Sequence, residues 1–275
     1  MPRFMQVDVF TAQKYMGNPV AVFFDAENLT TEEMKRMSTW TNLSEATFVH
    51  KPTVEGADYK VRIFSLDEEL PFAGHPTLGT CHALVESGVV TPKDGKIYQQ
   101  CDAGLVEISV KDGKYSFKLP YAKRQELSVE SQNEVEKALK GPAILNLAIY
   151  DVGPVWLTAE LASGADVVSL KPDSQDLSVV SKKLGVCGVQ VIGPCAEEAS
   201  YQVRTFAPAI GLVEDPACGS GAGATGAHLR EFHGKAGGFS LSQGISIGRD
   251  AKIDLHIAEK ISVGGNAVTV IEGTY

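Results

Sequence analysis

The stretch Glu214–Gly226, EDPACGSGAGATG, sets two carboxylates, a thiol and four glycines within thirteen residues. Asp215-Pro216 reads as a helix start, with Asp at the N-cap and Pro at the first helical position. Glycine weakens a helix by about 1 kcal/mol per residue relative to alanine. So many glycines therefore imply a need for bare backbone, toward a ligand or a close-packed neighbour. A helix N-terminus with unbonded N–H groups also favours an anion. The stretch is expected to hold an acid, with the rest of the chain supplying the chemistry.

The chain has 275 residues, 44% hydrophobic and 21% charged, enough to bury a core as one large domain or two smaller ones. A net charge of −9 argues against non-specific nucleic-acid binding, which needs a basic surface. It leaves room for an anionic small molecule held by local N–H groups. MPRFMQVDVF lacks the apolar core of a signal peptide, and no apolar run approaches a membrane span. The five cysteines are scattered and odd in number, which predicts reduced thiols in a cytoplasmic protein without a disulfide framework. The six histidines show no HExxH or HxH spacing, so no metal is expected.

Along the first half, Gln6–Phe10 and Pro19–Phe24 read as strands across a turn at Met16-Gly17-Asn18. Thr30-x-x-Glu33 is a capping box, and a helix over Glu32–Trp40 follows. Asn42–Glu45 breaks it, before strands at Ala46–His50 and Tyr59–Ser65. Then comes ELPFAGHPTLG, Glu69–Gly79. His75-Pro76 resembles a second N-cap with first-turn proline, opening a helix over Thr77–Glu86 that Gly88 stops. Lys111-Asp112-Gly113 marks a hairpin between Leu105–Val110 and Lys114–Leu119. Pro120–Leu127 is polar and reads as a linker.

After the linker the order repeats. Ser131-x-x-Glu134 caps a short helix ending at Gly141-Pro142, and Leu145–Val152 is a strand. Gly153-Pro154-Val155-Trp156 is a turn and strand like Gly17-Asn18-Pro19-Val20. Asp176–Leu184 is helical, followed by strands at Val189–Ile192 and Tyr201–Phe206. The helix opened by Glu214–Gly226 runs to about Phe232 and stops at Gly234. Short strands close the chain at Phe239–Ser242, Lys252–Ala258, Ile261–Val263 and Ala267–Ile271. Arg62-Ile63-Phe64 stands against Arg204-Thr205-Phe206, and Pro71–His75 against Pro216–Ser220. The period is too long for a solenoid and the pattern too rich in strands and hairpins for a doubly wound sheet. The expected class is α/β (α+β), with two pseudo-twofold-related subdomains, each a mixed sheet rolled around a central helix. The halves are residues 1–119, to which the C-terminal strand 266–275 can be added, and 127–265. Both glycine loops would open at the junction, where ligand sites commonly form.

Gly221-x-Gly223-x-x-Gly226 matches GxGxxG, the dinucleotide fingerprint, but a polar, proline-containing loop precedes it and hairpins follow. The alternative is a small-residue face on a buried helix. Glu45 is either a solvated turn carboxylate or a general acid/base. The second role at neutral pH requires apolar burial to lift it above about 4.3. His75 is a cap, a core histidine or a donor to a substrate oxygen. Asp215 is a cap or a ligand for a substrate amine or hydroxyl. Cys218 at a helix start is a reactive thiol or a small packing residue. Ser220 has no His and Asp at nucleophile spacing, which leaves little support for a hydrolase triad.

Taken together, QVDVFTAQKYMGNPVAVFF, WTNLSEATFV, RIFSLDEELPFAGHPTLGT and VRTFAPAIGLVEDPACGSGAGA resemble the PhzF-like family of phenazine-biosynthesis-type isomerases, within the diaminopimelate epimerase fold superfamily. They occur in the same order and similar spacing over essentially the whole chain. The resemblance implies two similar halves with the site between them, proton-transfer chemistry without a cofactor, and a homodimer. It implies that Glu45, in the NLSE motif, shuttles the proton, with His75 and Asp215 at the substrate. Asn18, Ser44, Gly74, Gly219, Ser220 and Gly221 would bind a small carboxylate substrate. The related epimerases and racemases use two opposed cysteines, one in each glycine loop. Here the first position is Ala73, so a symmetric two-thiol mechanism is impossible. Cys218 remains a candidate second base, in an amino-acid racemase or epimerase or in a mixed Glu45/Cys218 pair. A non-catalytic small-acid binding protein is the reading from another class. The substrate itself is not legible.

Overall fold

The computed structural model describes residues 1–66 and 68–275 and divides into two compact units, Met1–Lys118 with Gly264–Tyr275, and Leu119–Val263. The first unit starts with strands β1 (Arg3–Val9) and β2 (Asn18–Phe23), helix α1 (Thr31–Thr41), then β3 (Ala46–His50), β4 (Tyr59–Ser65) and β5 (Glu68–Leu70). Helix α2 (Gly74–Glu86) follows, then β6 (Lys96–Cys101), β7 (Gly104–Lys111) and β8 (Lys114–Lys118). The second unit has β9 (Lys123–Gln125), α3 (Val129–Leu139), β10 (Asn146–Asp151), β11 (Val155–Glu160), α4 (Gly164–Ser169) and α5 (Ser174–Leu184). It continues with β12 (Gly188–Pro194), β13 (Ser200–Ala207), β14 (Leu212–Asp215), α6 (Gly219–His233), β15 (Gly237–Gln243), β16 (Ala251–Ile257) and β17 (Ile261–Gly265). The last strand, β18 (Ala267–Thr274), returns to the first unit and runs antiparallel to β1.

Both units use one pairing scheme. In the first, β1–β2 is antiparallel, β2–β3 parallel, β3–β4 and β4–β5 antiparallel, β4–β6 parallel and β6–β7 antiparallel. In the second, β10–β11, β11–β12, β12–β13, β13–β14, β13–β15 and β15–β16 repeat those six relations in order. The parallel steps force crossovers, which carry α1 and α2 in one unit and α4–α5 and α6 in the other. The internal repeat in the sequence is thus a repeat of topology, and each half is a mixed sheet with one central helix.

The central helices are buried nearly all round over their first turns. Gly74–Cys81 of α2 and Gly221–Leu229 of α6 are buried without a gap. A buried helix needs no polar face, and small residues let the strands approach. A Cβ on Gly79 would lie 2.4 Å from Val20 Cγ1. The GxGxxG glycines serve the same end: a Cβ on Gly221, Gly223 or Gly226 would meet Gln190, Leu119 or Ile261 at 2.4, 2.5 and 2.9 Å. The motif is a packing face. Outside α2, Phe23 stacks on Phe48 at 4.9 Å and Phe48 meets Phe64 edge-on at 5.5 Å, in a cluster with Met34 of α1.

Several boundaries differ from the sequence reading. The Thr30–Glu33 capping box forms, and Asn42 ends α1 in a left-handed conformation. The α3 cap, however, is Ser128, whose hydroxyl accepts from Ser131 N–H at 3.2 Å, so Ser131 lies inside the helix. The expected linker Pro120–Leu127 carries β9, paired with β10. His75 is the second residue of α2 and Ala73 its cap position. Asp215 ends β14, one turn before α6, and Cys218 is the residue that caps α6. The carboxylate of Asp215 instead closes a local turn by accepting from Ala217 N–H at 2.8 Å.

Candidate functional site

In the first unit, Glu45 stands at the end of the loop after α1, immediately before β3. Its carbonyl accepts from Ala21 N–H at 3.4 Å, which ties the loop to β2 where the parallel pairing begins. The side chain is 18% exposed, but its Oε2 oxygen is buried and 3.4 Å from His75 Nε2. Burial pushes the Glu45 carboxyl up to about 7, against a smaller lowering by a hydrogen bond from Ser44. A carboxyl that titrates at neutral pH can both take and return a proton. His75, 7% exposed, is held by the first turn of α2, where Thr77 N–H donates to Ala73 C=O at 3.2 Å. A buried chain supports that turn: Tyr59 donates to Gln99 Oε1 at 2.9 Å, and Gln99 Nε2 to Thr77 Oγ1 at 2.9 Å. Asn18 opens β2 and is buried. Gly74 packs its Cα against the Phe117 ring, 2.7 Å from where a Cβ would stand.

In the second unit, the loop into α6 has its donors largely assigned. Ala217 N–H goes to Asp215 Oδ1, Cys218 N–H to Gln243 Oε1 at 3.2 Å, and Gly221 N–H to Cys218 Sγ at 3.3 Å. The regular ladder starts with Ala222 N–H on Cys218 C=O at 2.9 Å. Among the described residues nothing accepts from Gly219 or Ser220 N–H. Of the four N–H groups expected to meet a carboxylate, at Gly74, Gly219, Ser220 and Gly221, that of Gly221 is already engaged, while Gly219 and Ser220 keep theirs without an acceptor among the described residues. The Ser220 hydroxyl accepts from Trp156 Nε1–H at 2.9 Å.

Further groups that sequence reading did not find hold this loop. Gln243, 1% exposed, donates to Asp215 C=O at 2.8 Å and to Thr205 Oγ1 at 3.0 Å. Thr205 donates to Gln190, whose amide donates to Thr225 Oγ1 at 3.1 Å. Arg204 forks onto Glu214 with Nε and Nη2 at 2.9 and 2.8 Å, and Arg62 forks onto Glu69 at 2.6 Å twice. In the repeat Arg62 matches Arg204, and Glu69 matches Glu214, so one bidentate pair fixes the glycine loop in each unit. Both arginines were visible as repeat markers. Their partners were not, because spacings of seven and ten residues carry no local signal.

A family model described as "Phenazine biosynthesis-like protein" matches residues 7–273. The chain belongs to this family. It is 34% identical to trans-2,3-dihydro-3-hydroxyanthranilate isomerase of Pseudomonas aeruginosa, over 99% of both chains. It is 46% identical to a Schizosaccharomyces pombe protein called Antisense-enhancing sequence 1, over 98% of this chain and 97% of the relative. A Bacillus anthracis PhzF-family crystal structure superposes with a TM-score of 0.87 at 22% identity, covering 99% and 98% of the two chains. That likeness is one of fold. Membership makes the protein an isomerase with a small-molecule substrate. No helix of the described residues is long and apolar enough to cross a membrane.

Proposed function

We propose that the protein is a cofactor-independent isomerase that moves a proton between carbons of a small unsaturated carboxylate, with Glu45 as the shuttling acid/base. The observation that carries this reading is the Glu45–His75 pair: a largely buried carboxyl, 3.4 Å from an imidazole, held near a neutral titration point. The Glu45 carboxylate takes a proton from a carbon next to the unsaturation, and the double bond shifts. The resulting carboxylic acid returns the proton to the other end of the system. One C–H bond breaks, one forms, and nothing is oxidised. His75 stabilises the ionised carboxylate and orients it. Asp215 receives an amine or hydroxyl of the substrate. Asn18, Ser44 and Gly74 are the candidate substrate-binding residues of the first unit, and Gly219 and Ser220 the candidate carboxylate ligands of the second.

General acid/base catalysis contributes about 10²–10⁴-fold, so orientation and water exclusion must provide the rest. The name of the P. aeruginosa relative suggests trans-2,3-dihydro-3-hydroxyanthranilate as the first substrate to test. Glu45→Gln is expected to keep the fold and lose turnover at least 10²-fold. Unchanged turnover would remove Glu45 from the mechanism. Racemisation through Cys218 has one observation in its favour, the N–H of Gly221 on its sulfur, but Ala73 gives it no opposing thiol. We assign the protein to the cytoplasm as a homodimer, and sedimentation of the purified chain checks the second point.

A further inference from the structure

We propose that Trp156 is a positioning residue for the substrate carboxylate. Its indole N–H fills the acceptor side of the Ser220 hydroxyl and turns the Ser220 O–H into a donor for the bound acid. This rests on the reading above, in which the start of α6 receives the carboxylate.

A serine hydroxyl has one hydrogen to donate and two lone pairs to accept with. The indole N–H can only donate, and it does so to Ser220 Oγ at 2.9 Å. The other polar neighbour of that oxygen is Cys218 Sγ at 3.7 Å, a weak acceptor. Among the described residues the sulfur is the only acceptor within reach of the hydroxyl hydrogen. A carboxylate is a far better acceptor, since charge-assisted hydrogen bonds are roughly twice as strong as neutral ones. Ser220 is only half-buried, and its own N–H and that of Gly219 have no acceptor among the described residues. Two N–H groups and one O–H at a helix N-terminus match the lone pairs of one carboxylate.

The indole is fixed by the sheet. Trp156 is 4% exposed and lies on β11 between Tyr150 of antiparallel β10 and Gly188 of parallel β12. The repeat sharpens its role. Phe64 and Phe206, equivalent in the repeat, pair with Ala46 and Val189, and these pair with Ala21 and Leu157, so Trp156 stands where the first unit has Val20. Ser220, the second residue of α6, matches His75, the second residue of α2. Each central helix thus has its second residue met by a polar group from the parallel strand pair or from the loop that enters it. In the first unit that group is Glu45 on His75, and in the second it is Trp156 on Ser220. The same scaffold position is fitted for proton transfer in one half and for carboxylate binding in the other.

The test is anthranilate binding to the full chain by calorimetry, for the parent, Ser220→Ala, Trp156→Phe and the double variant, with aniline as the ligand lacking the carboxylate. One neutral hydrogen bond corresponds to about a fivefold change in affinity. Trp156→Phe is expected to weaken anthranilate by about that factor, and Ser220→Ala by more. The double variant should bind as Ser220→Ala does, because Trp156 acts only through Ser220. Aniline binding should not respond to either change. Additive losses, or a Trp156→Phe affinity equal to the parent's, overturn the role of Trp156 alone. An unchanged Ser220→Ala affinity, or no anthranilate binding to the parent, overturns the carboxylate reading with it.

A measurement on the unmutated protein guards against a folding defect. The chain has two tryptophans, Trp40 and Trp156. Anthranilate should shift the indole N–H resonance of Trp156 and leave that of exposed Trp40 in place. Equal or absent shifts overturn the proposal.

Discussion

Replacing Glu45 by glutamine should stabilise the protein while it removes turnover, and the gain should depend on pH. The carboxyl is held at about 7 in the folded protein against 4.5 for its ordinary value. Between those values the unfolded chain has released this proton and the folded protein still holds it. The folded state binds more protons there, so stability falls as pH rises through the window. The favourable contribution is complete below 4.5 and gone above about 7. A difference of about 2.5 pH units, at 1.36 kcal/mol each, is about 3 kcal/mol. The side chain keeps 18% exposure, so this is an upper bound. At roughly 2–4 °C per kcal/mol for units of this size, Glu45→Gln should melt several degrees higher at pH 8. At pH 4 it should melt with the parent. Thermal denaturation from pH 4 to 9 reads this directly. Equal melting at every pH, or a constant offset, would refute the argument that burial of this carboxyl sets its titration.

Three further expectations concern the second unit and the loops. Burial would raise the Glu160 carboxyl, but hydrogen bonds from His228, Asn146 and His233 outweigh it and hold the group down at about 2. Its stabilisation is present above 4.5 and fades as pH falls toward 2, so Glu160→Gln should cost about 3 kcal/mol at pH 7 and progressively less in acid, by urea unfolding. Arg204→Met should cost about 3–5 kcal/mol by leaving Glu214 buried and unpaired, whereas Arg62→Met, at the more exposed Glu69 pair, should cost about 1 kcal/mol in the same assay. Cys218→Ala should lose a helix cap worth about 1 kcal/mol yet keep kcat within a few-fold. A 10²-fold loss of kcat would instead make Cys218 a base.

What the sequence showed follows from what is local. Thr30 and Glu33 announce a helix start because both halves of that cap lie within four residues. Asn42 and Gly234 mark stops because only left-handed backbone is needed there. The repeat was legible through Arg62 and Arg204, which lie on matching strands, β4 and β13. Asp-Pro has the signature of a helix start and a cysteine cap has none, so the sequence points to a start for α6 before the one the fold uses. Ser131 has the look of a cap because Glu134 stands three residues on, but Ser128 occupies the turn before it. Strands β5, β9 and β14 are too short for a period-two pattern to show. The Gln243–Thr205–Gln190 chain and the Glu160–His228–His233 cluster join residues from distant segments, and only the folded chain brings them together. Only the NLSE resemblance marks Glu45 along the chain. Its burial and its contact with His75 depend on α2 and β3 meeting, which no spacing along the chain encodes.

The central claim is that one carboxyl carries the migrating proton. Trans-2,3-dihydro-3-hydroxyanthranilate should be incubated in D₂O with the parent, with Glu45→Gln and with Cys218→Ala, and deuterium at the substrate carbons followed by NMR. The account predicts isomerisation by the parent and by Cys218→Ala, with the migrating hydrogen kept as protium except where the Glu45 carboxyl exchanges with solvent before returning it, and no product for Glu45→Gln. Product or label formed with Glu45→Gln, or product lost with Cys218→Ala, would contradict it.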